Sequence, residues 1–138
     1  MARFIFIFFL SAYSLQVFAY EQNAYAKPIQ YAGFVDDVSS LVTRVTKNGW
    51  QISEQKSGLY SVTLNYKGYA INTAITDAGS SLTIQLISAD RLDCKKCTVD
   101  DEKVQGWLLR MRKLIAREVT EQARDAAREA LKPASDQT

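Results

Sequence analysis

The run from Leu59 to Ala89, LYSVTLNYKGYAINTAITDAGSSLTIQLISA, alternates apolar and polar residues and constrains the fold more than any other part of the chain. Tyr60, Val62, Leu64 and Tyr66 fall at every second place, the period of a strand with one buried face, and Tyr69, Ile71, Thr73 and Ile75 repeat it. Lys67-Gly68 lies between them. A two-residue turn in which glycine tolerates positive φ would place Tyr66 opposite Tyr69, Leu64 opposite Ile71, Val62 opposite Thr73 and Tyr60 opposite Ile75. A loop of Asp77-Ala78-Gly79-Ser80 would then set Ile75 against Leu82, Thr73 against Ile84 and Ile71 against Leu86. One face thus collects Tyr, Val, Leu and Ile from three strands, and it must be covered.

The flanking sequence offers two covers. Phe34, Val38, Leu41, Val42 and Val45 form a helical stripe, with Asp36 and Asp37 in its first turn and Arg44 and Lys47 in its last, the charge order that the helix dipole favours. Asn48-Gly49 ends that helix. Trp50 and Ile52 then alternate with polar residues towards Lys56-Ser57-Gly58, a three-residue loop that returns the chain to Leu59, which makes a fourth strand. After the polar loop Asp90 to Val99, a second helix begins near Asp100 and Asp101, either of which can cap it. Val104, Trp107, Leu108, Met111, Leu114, Ile115 and Val119 occupy one of its faces. The predicted fold is α+β: a four-stranded antiparallel meander with an N-terminal helix and a long C-terminal helix packed on one face, in the order α-β-β-β-β-α.

Past Val119 the stripe fails. Gln122, Asp125 and Glu129 stand where apolar residues would continue, while Ala123, Ala126, Ala127 and Ala130 lie to one side. Strands of ~8 residues span ~27 Å and a helix of ~30 residues spans ~45 Å, so the helix should overhang the sheet. We therefore expect one domain over residues 27–119, with an overhanging helix and a frayed tail over 120–138.

Residues 1–26 have the layout of a secretory signal peptide. Arg3 precedes an apolar run, Phe4 to Leu10, and small residues at Ala19 and Ala26 offer two cleavage sites. The run is shorter than the ~20 residues a membrane span needs, and no transmembrane segment is predicted for the mature chain. Gln22 to Gln30, which has no period and contains Pro28, reads as a processed or flexible lead-in. Neither site has a cysteine beside it, so no lipid attachment is indicated. The expected address is the bacterial periplasm or the exterior, an oxidising compartment in which the two cysteines, Cys94 and Cys97, would pair. A formal net charge of +2 gives no reason to expect a nucleic-acid partner.

The chain contains no histidine, which removes Ser-His and Cys-His catalysis and the commonest metal ligand. Phosphate loops, nucleophile elbows and metal-spaced clusters are missing from the sequence too, so neither a cofactor nor a metal is expected. The carboxylate pairs Asp36/Asp37 and Asp100/Asp101 stand at helix starts, where capping accounts for them.

Cys94-Lys95-Lys96-Cys97 has CxxC spacing. It reads as a structural staple of the strand-to-helix loop or as a thiol–disulfide oxidoreductase pair, the latter favoured by the lysines but not by the separation from the helix start. On the last helix Lys103, Arg110, Lys113, Arg117, Arg124 and Arg128 share about a quarter of the circumference, at ~100° per residue. That stripe suits an anionic envelope component, such as a phospholipid headgroup in membrane contact, or an acidic protein; as a solvated face it would be laced by Arg117, Glu121, Asp125 and Arg128 at pairing distances. The outer sheet face, with Ser61, Thr63, Asn65, Ala70, Asn72, Ala74, Thr76, Thr83 and Gln85, is small, polar and uncharged, a second candidate contact surface. Trp50 and Trp107 read as core partners of one another.

Gly49-Trp50, the alternating block Tyr60 to Ile87, and Trp107 with Leu108 and Ile115 make the region Val35 to Val119 similar to a family of small exported bacterial lipoproteins and periplasmic proteins of unknown function. That resemblance implies a fold and a compartment rather than a reaction. The function expected is binding to an envelope or protein partner without catalysis. The alternatives are thiol–disulfide exchange at Cys94 and Cys97, or an assembly subunit that pairs through its C-terminal helix.

Overall fold

The computed structural model describes residues 24–47 and 49–133. Residues 1–23, Asn48 and residues 134–138 lie outside the described residues, and with them most of the expected signal peptide and the end of the expected frayed tail. In chain order the elements are a 3-10 turn (Ala24–Ala26), β1 (Ile29–Gln30), α1 (Val38–Thr46), β2 (Trp50–Lys56), β3 (Leu59–Tyr66), β4 (Tyr69–Asp77), β5 (Ser81–Arg91) and α2 (Asp101–Ala130). One antiparallel sheet is ordered β1-β5-β4-β3-β2, with both helices on one face of it. The architecture is the α+β arrangement expected, with a fifth, very short strand.

That strand corrects the reading of Gln22 to Gln30 as a loose lead-in. Ile29 pairs with Leu82 and Gln30 with Ser81. Tyr25, only 8% exposed, joins the core cluster. From α2, the Arg112 guanidinium donates to the carbonyls of Lys27 at 3.0 Å and Pro28 at 3.4 Å, which ties the segment down.

In the β3–β4 hairpin the expected register is found at every position from Tyr66↔Tyr69 to Tyr60↔Ile75. Lys67 (φ 49°) and Gly68 (φ 78°) are both left-handed, the turn whose twist matches a two-residue hairpin. The other two hairpins depart from expectation. Ser57-Gly58 is a two-residue turn with Lys56 opposite Leu59, and the extra residue appears instead as a bulge at Ser53. In β4–β5 the partners are Ile75↔Ile84 and Thr73↔Leu86, two places from the expected pairing. The pivot moves because the Asp77 carboxylate accepts from the Gly79 amide at 2.8 Å, so Asp77 still belongs to the strand, opposite Leu82. A bulge at Ile87 then shifts Ile71 to face Ala89. Since a two-residue shift preserves side-chain alternation, Leu82 and Ile84 still point into the core.

α1 starts later than its stripe implied. Asp37 is the N-cap, accepting from the Ser40 amide at 3.1 Å, so Asp36 and Asp37 precede the first turn and Phe34 lies outside the helix, 54% exposed; Val35 is buried instead. Gly49 follows the helix at φ 96°. Asp100 caps α2 by accepting from the Lys103 amide at 3.3 Å. Leu41, Val42 and Val45 meet Val104, Leu108, Met111, Ile115 and Val119 above Val62, Leu64, Ile71, Ile75 and Ile84 in one core. Arg44 does more than answer the dipole, because it reaches α2 and pairs with Glu118 at 2.7 Å. Thr73 is the fully buried polar side chain of β4, and its hydroxyl donates to the Val62 carbonyl at 3.0 Å.

Candidate functional site

Cys94 and Cys97 are disulfide-bonded, with Cα atoms 5.3 Å apart, in the loop between β5 and α2. The loop is anchored on both sides of the bond. Before it, the Asp93 carboxylate receives two hydrogen bonds from Arg91, at 2.9 and 3.1 Å. It also lies against Gly68, where a Cβ would sit 2.3 to 2.7 Å from its atoms, so any other residue there would push the carboxylate aside. The Arg91 guanidinium beside Asp93 holds its carboxyl below the usual carboxylate range, and raises its own affinity for a proton in return. Behind the bond, the Asp100 amide reaches the Tyr69 hydroxyl at 3.4 Å, and Arg91 covers the same ring, 4.6 Å from its centroid. The disulfide therefore closes a loop whose two ends meet on Tyr69.

Tyr69 in turn backs Trp107. The rings are 5.1 Å apart and nearly perpendicular, and Tyr66 makes a second edge contact to Trp107 at 5.5 Å. Trp107's ring partners are thus these tyrosines rather than Trp50, a correction to the expected tryptophan pair. Trp50 and Trp107 do share a cleft of about 210 Å³, with Leu64 and Tyr66 as its other apolar walls and Asn65 and Arg110 at its edge. The spacing of Tyr66 and Tyr69 about their turn was visible in the sequence; that Trp107 crosses that end of the sheet was not.

The basic stripe is where it was expected: Arg110, Lys113, Arg117, Arg124 and Arg128 are all exposed on α2. Arg117 pairs with Glu121 at 2.9 Å, Arg128 with Asp125 at 3.8 Å and Lys103 with Asp100 at 3.6 Å. Among the described residues Arg110, Lys113 and Arg124 have no carboxylate partner. Asn65, Asn72, Thr83 and Gln85 alternate with the core residues and so point to the sheet's opposite face, away from α1 and α2. Ser88 joins them through a 2.9 Å hydrogen bond from Asn72, and the Ile87 bulge leaves that side chain 60% exposed. The two candidate surfaces are on opposite layers, and both reach the cleft, through Asn65 and Arg110.

At the far end of the sheet the Tyr31 hydroxyl donates to the Asp77 carboxylate. Burial and that hydrogen bond push the Tyr31 phenol up to about 12. Among the described residues no cluster of three or more cysteine or carboxylate side chains could hold a metal ion, and no helix is long and apolar enough to cross a membrane. No family model, curated protein or solved structure matches this chain.

Proposed function

We propose that this chain is an exported bacterial domain, acting in the periplasm or outside the cell by binding a protein or an envelope component, with no reaction of its own. The observation that carries the proposal is the second half of α2. Its last buried residue is Val119, yet the helix continues to Ala130, and every residue from Arg124 to Ala130 is exposed. A segment that adds nothing to its own core is free to make contacts elsewhere, and Arg124 and Arg128 along it, continuing the stripe of Lys113 and Arg117, favour an acidic surface. The opposite sheet face, mostly small and polar but with Glu54, Lys56 and Asp90 towards its margins, is the alternative contact surface. Comparing envelope pull-downs by the full chain, by a chain ending at Ala123 and by a Thr83→Lys, Gln85→Lys variant separates the two. Capture that survives truncation but not the lysines moves the contact to the sheet.

The same proposal covers export and the similarity to exported lipoproteins and periplasmic proteins. Of the two cleavage sites, the one after Ala19 is favoured, because cutting after Ala26 would remove Tyr25 from the core. Mass spectrometry of the exported chain should find Tyr20 at its N-terminus.

Thiol–disulfide exchange is the second reading, favoured by the exposure of Cys97 next to Lys95 and Lys96. Against it stand the three residues between Cys97 and the first turn of α2, which keep the thiol off the helix N-terminus. A reduction potential above about −270 mV together with insulin reduction would establish exchange and displace the binding proposal.

A further inference from the structure

The cleft where β2 begins and β3 ends combines three features that neither the overhanging helix nor the bare sheet face shares. Its floor is apolar and fixed: Trp50 and Leu64 are both buried members of the core. Its wall is aromatic and held from behind, since Trp107 stands edge-on between Tyr66 and Tyr69, and Tyr69 is gripped by Arg91 and by the loop that the disulfide closes. Its edge carries one charge, the Arg110 guanidinium, with no carboxylate partner among the described residues and no acidic side chain lining the cleft. Lys67, 5.1 Å above the Tyr66 ring, adds a second cation beside the same wall.

Size and charge together define what fits. At about 210 Å³ the space is below the ~300–1,000 Å³ of clefts that take drug-sized ligands, so it holds a single ring or branched chain. A planar guanidinium with donors and no acceptor matches a carboxylate in bidentate fashion, while a cation presented to Arg110 and Lys67 would be repelled. Perpendicular ring contacts such as those of Trp107 are the geometry in which a further ring packs favourably.

We propose that the cleft binds an amphipathic carboxylate, its aromatic or branched apolar group seated on Trp50 and Leu64 beside Tyr66 and Trp107, and its carboxylate on Arg110. Such a group occurs both as a free organic acid and as the C-terminal residue of a protein chain. The proposal is independent of the role of the α2 overhang, because the cleft lies at the other end of that helix.

Indole-3-acetate and tryptamine carry the same ring with opposite charge, so titrating each into the purified chain, with the indole N–H resonances of Trp50 and Trp107 as the readout, isolates the role of Arg110. We expect indole-3-acetate to shift both resonances saturably below about 10 mM, and tryptamine to bind at least about tenfold more weakly. Arg110→Gln should weaken indole-3-acetate by about tenfold or more while leaving the melting temperature unchanged, since Arg110 is exposed; Arg110→Lys should restore part of the affinity. Equal binding of the two probes, an Arg110→Gln chain that binds as before, or no shift with indole-3-acetate would overturn the proposal. A pentapeptide ending in Trp, compared with its C-terminal amide, assigns the source: tighter binding by the free-acid peptide than by indole-3-acetate identifies a chain terminus, and no binding by either peptide identifies a small acid.

Discussion

The two halves of α2 share one backbone and little else. From Val104 to Val119 the helix buries Val104, Leu108, Met111, Ile115 and Val119, each of which contributes ~1.5–3 kcal/mol by leaving water. From Arg124 to Ala130 every residue is exposed, and the support visible there is the Arg128–Asp125 pair, with Lys132 and Glu129 just beyond it at 2.8 Å. Pairs three or four residues apart add ~0.2–0.5 kcal/mol each, so the free half depends on its Ala, Glu and Arg propensity and on being an extension of a helix already nucleated. The same regular structure has two causes within one element. Tertiary burial holds the first half, and the second is retained without any return to the core.

The sharpest contrast comes from one residue type in both halves. Leu108, fully buried, and Leu131, 82% exposed just past the helix end, should respond very differently to truncation. Leu108→Ala is expected to cost ~2–5 kcal/mol, because it opens a cavity between the sheet and α1, whereas Leu131→Ala should stay within ~0.5 kcal/mol. Urea unfolding of both variants measures this. Similar losses at the two sites would mean that the free half is packed on something.

Beginning the chain at Lys27 instead of Tyr20 should cost about 2–4 kcal/mol, since Tyr25 is removed from the space beside α2. Calorimetry of the two forms tests this, and equal melting temperatures would show that the lead-in does not contribute to the fold.

Alkali probes the packed region in another way. The Tyr31 phenol keeps its proton up to about 12 in the folded chain but loses it near 10.0 when unfolded. Its contribution is therefore complete below pH 10 and fades as pH rises towards 12, with about 2 kcal/mol at stake. Unfolding midpoints recorded from pH 8 to 11.5 should fall, and Tyr31→Phe should flatten the fall.

Replacing Cys94 and Cys97 together by Ser should cost at most about 2 kcal/mol, because so short a loop constrains the unfolded chain weakly. The loss should appear first as increased mobility at Tyr69 and Trp107, which the loop braces, and not in the overhang.

The core face was legible because two independent signals agreed at β3–β4: the alternation of Leu64, Ile71 and their neighbours, and the Lys67-Gly68 turn. At β4–β5 the decisive contacts were side-chain events, the Asp77 carboxylate on Gly79 and the bulge at Ile87, and period-2 patterning does not encode them. β1 could not be read at all, since two residues after a proline carry no period. Of the candidate sites, the helix stripe and the polar sheet face follow from periodicity alone. The cleft does not, because it needs Trp107 brought over Tyr66 and Tyr69 by the path of α2, with Arg91 at the end of β5 and Asp93 in the loop after it bracing Tyr69.

The most direct test of the account takes the full chain and one ending at Ala123, and compares their melting temperatures and their capture of envelope components side by side. The account predicts melting temperatures within a few degrees of each other and capture lost with residues 124–138, since no core contact is removed. A shortened chain that unfolds, or one that folds and still captures every component the full chain does, would contradict it.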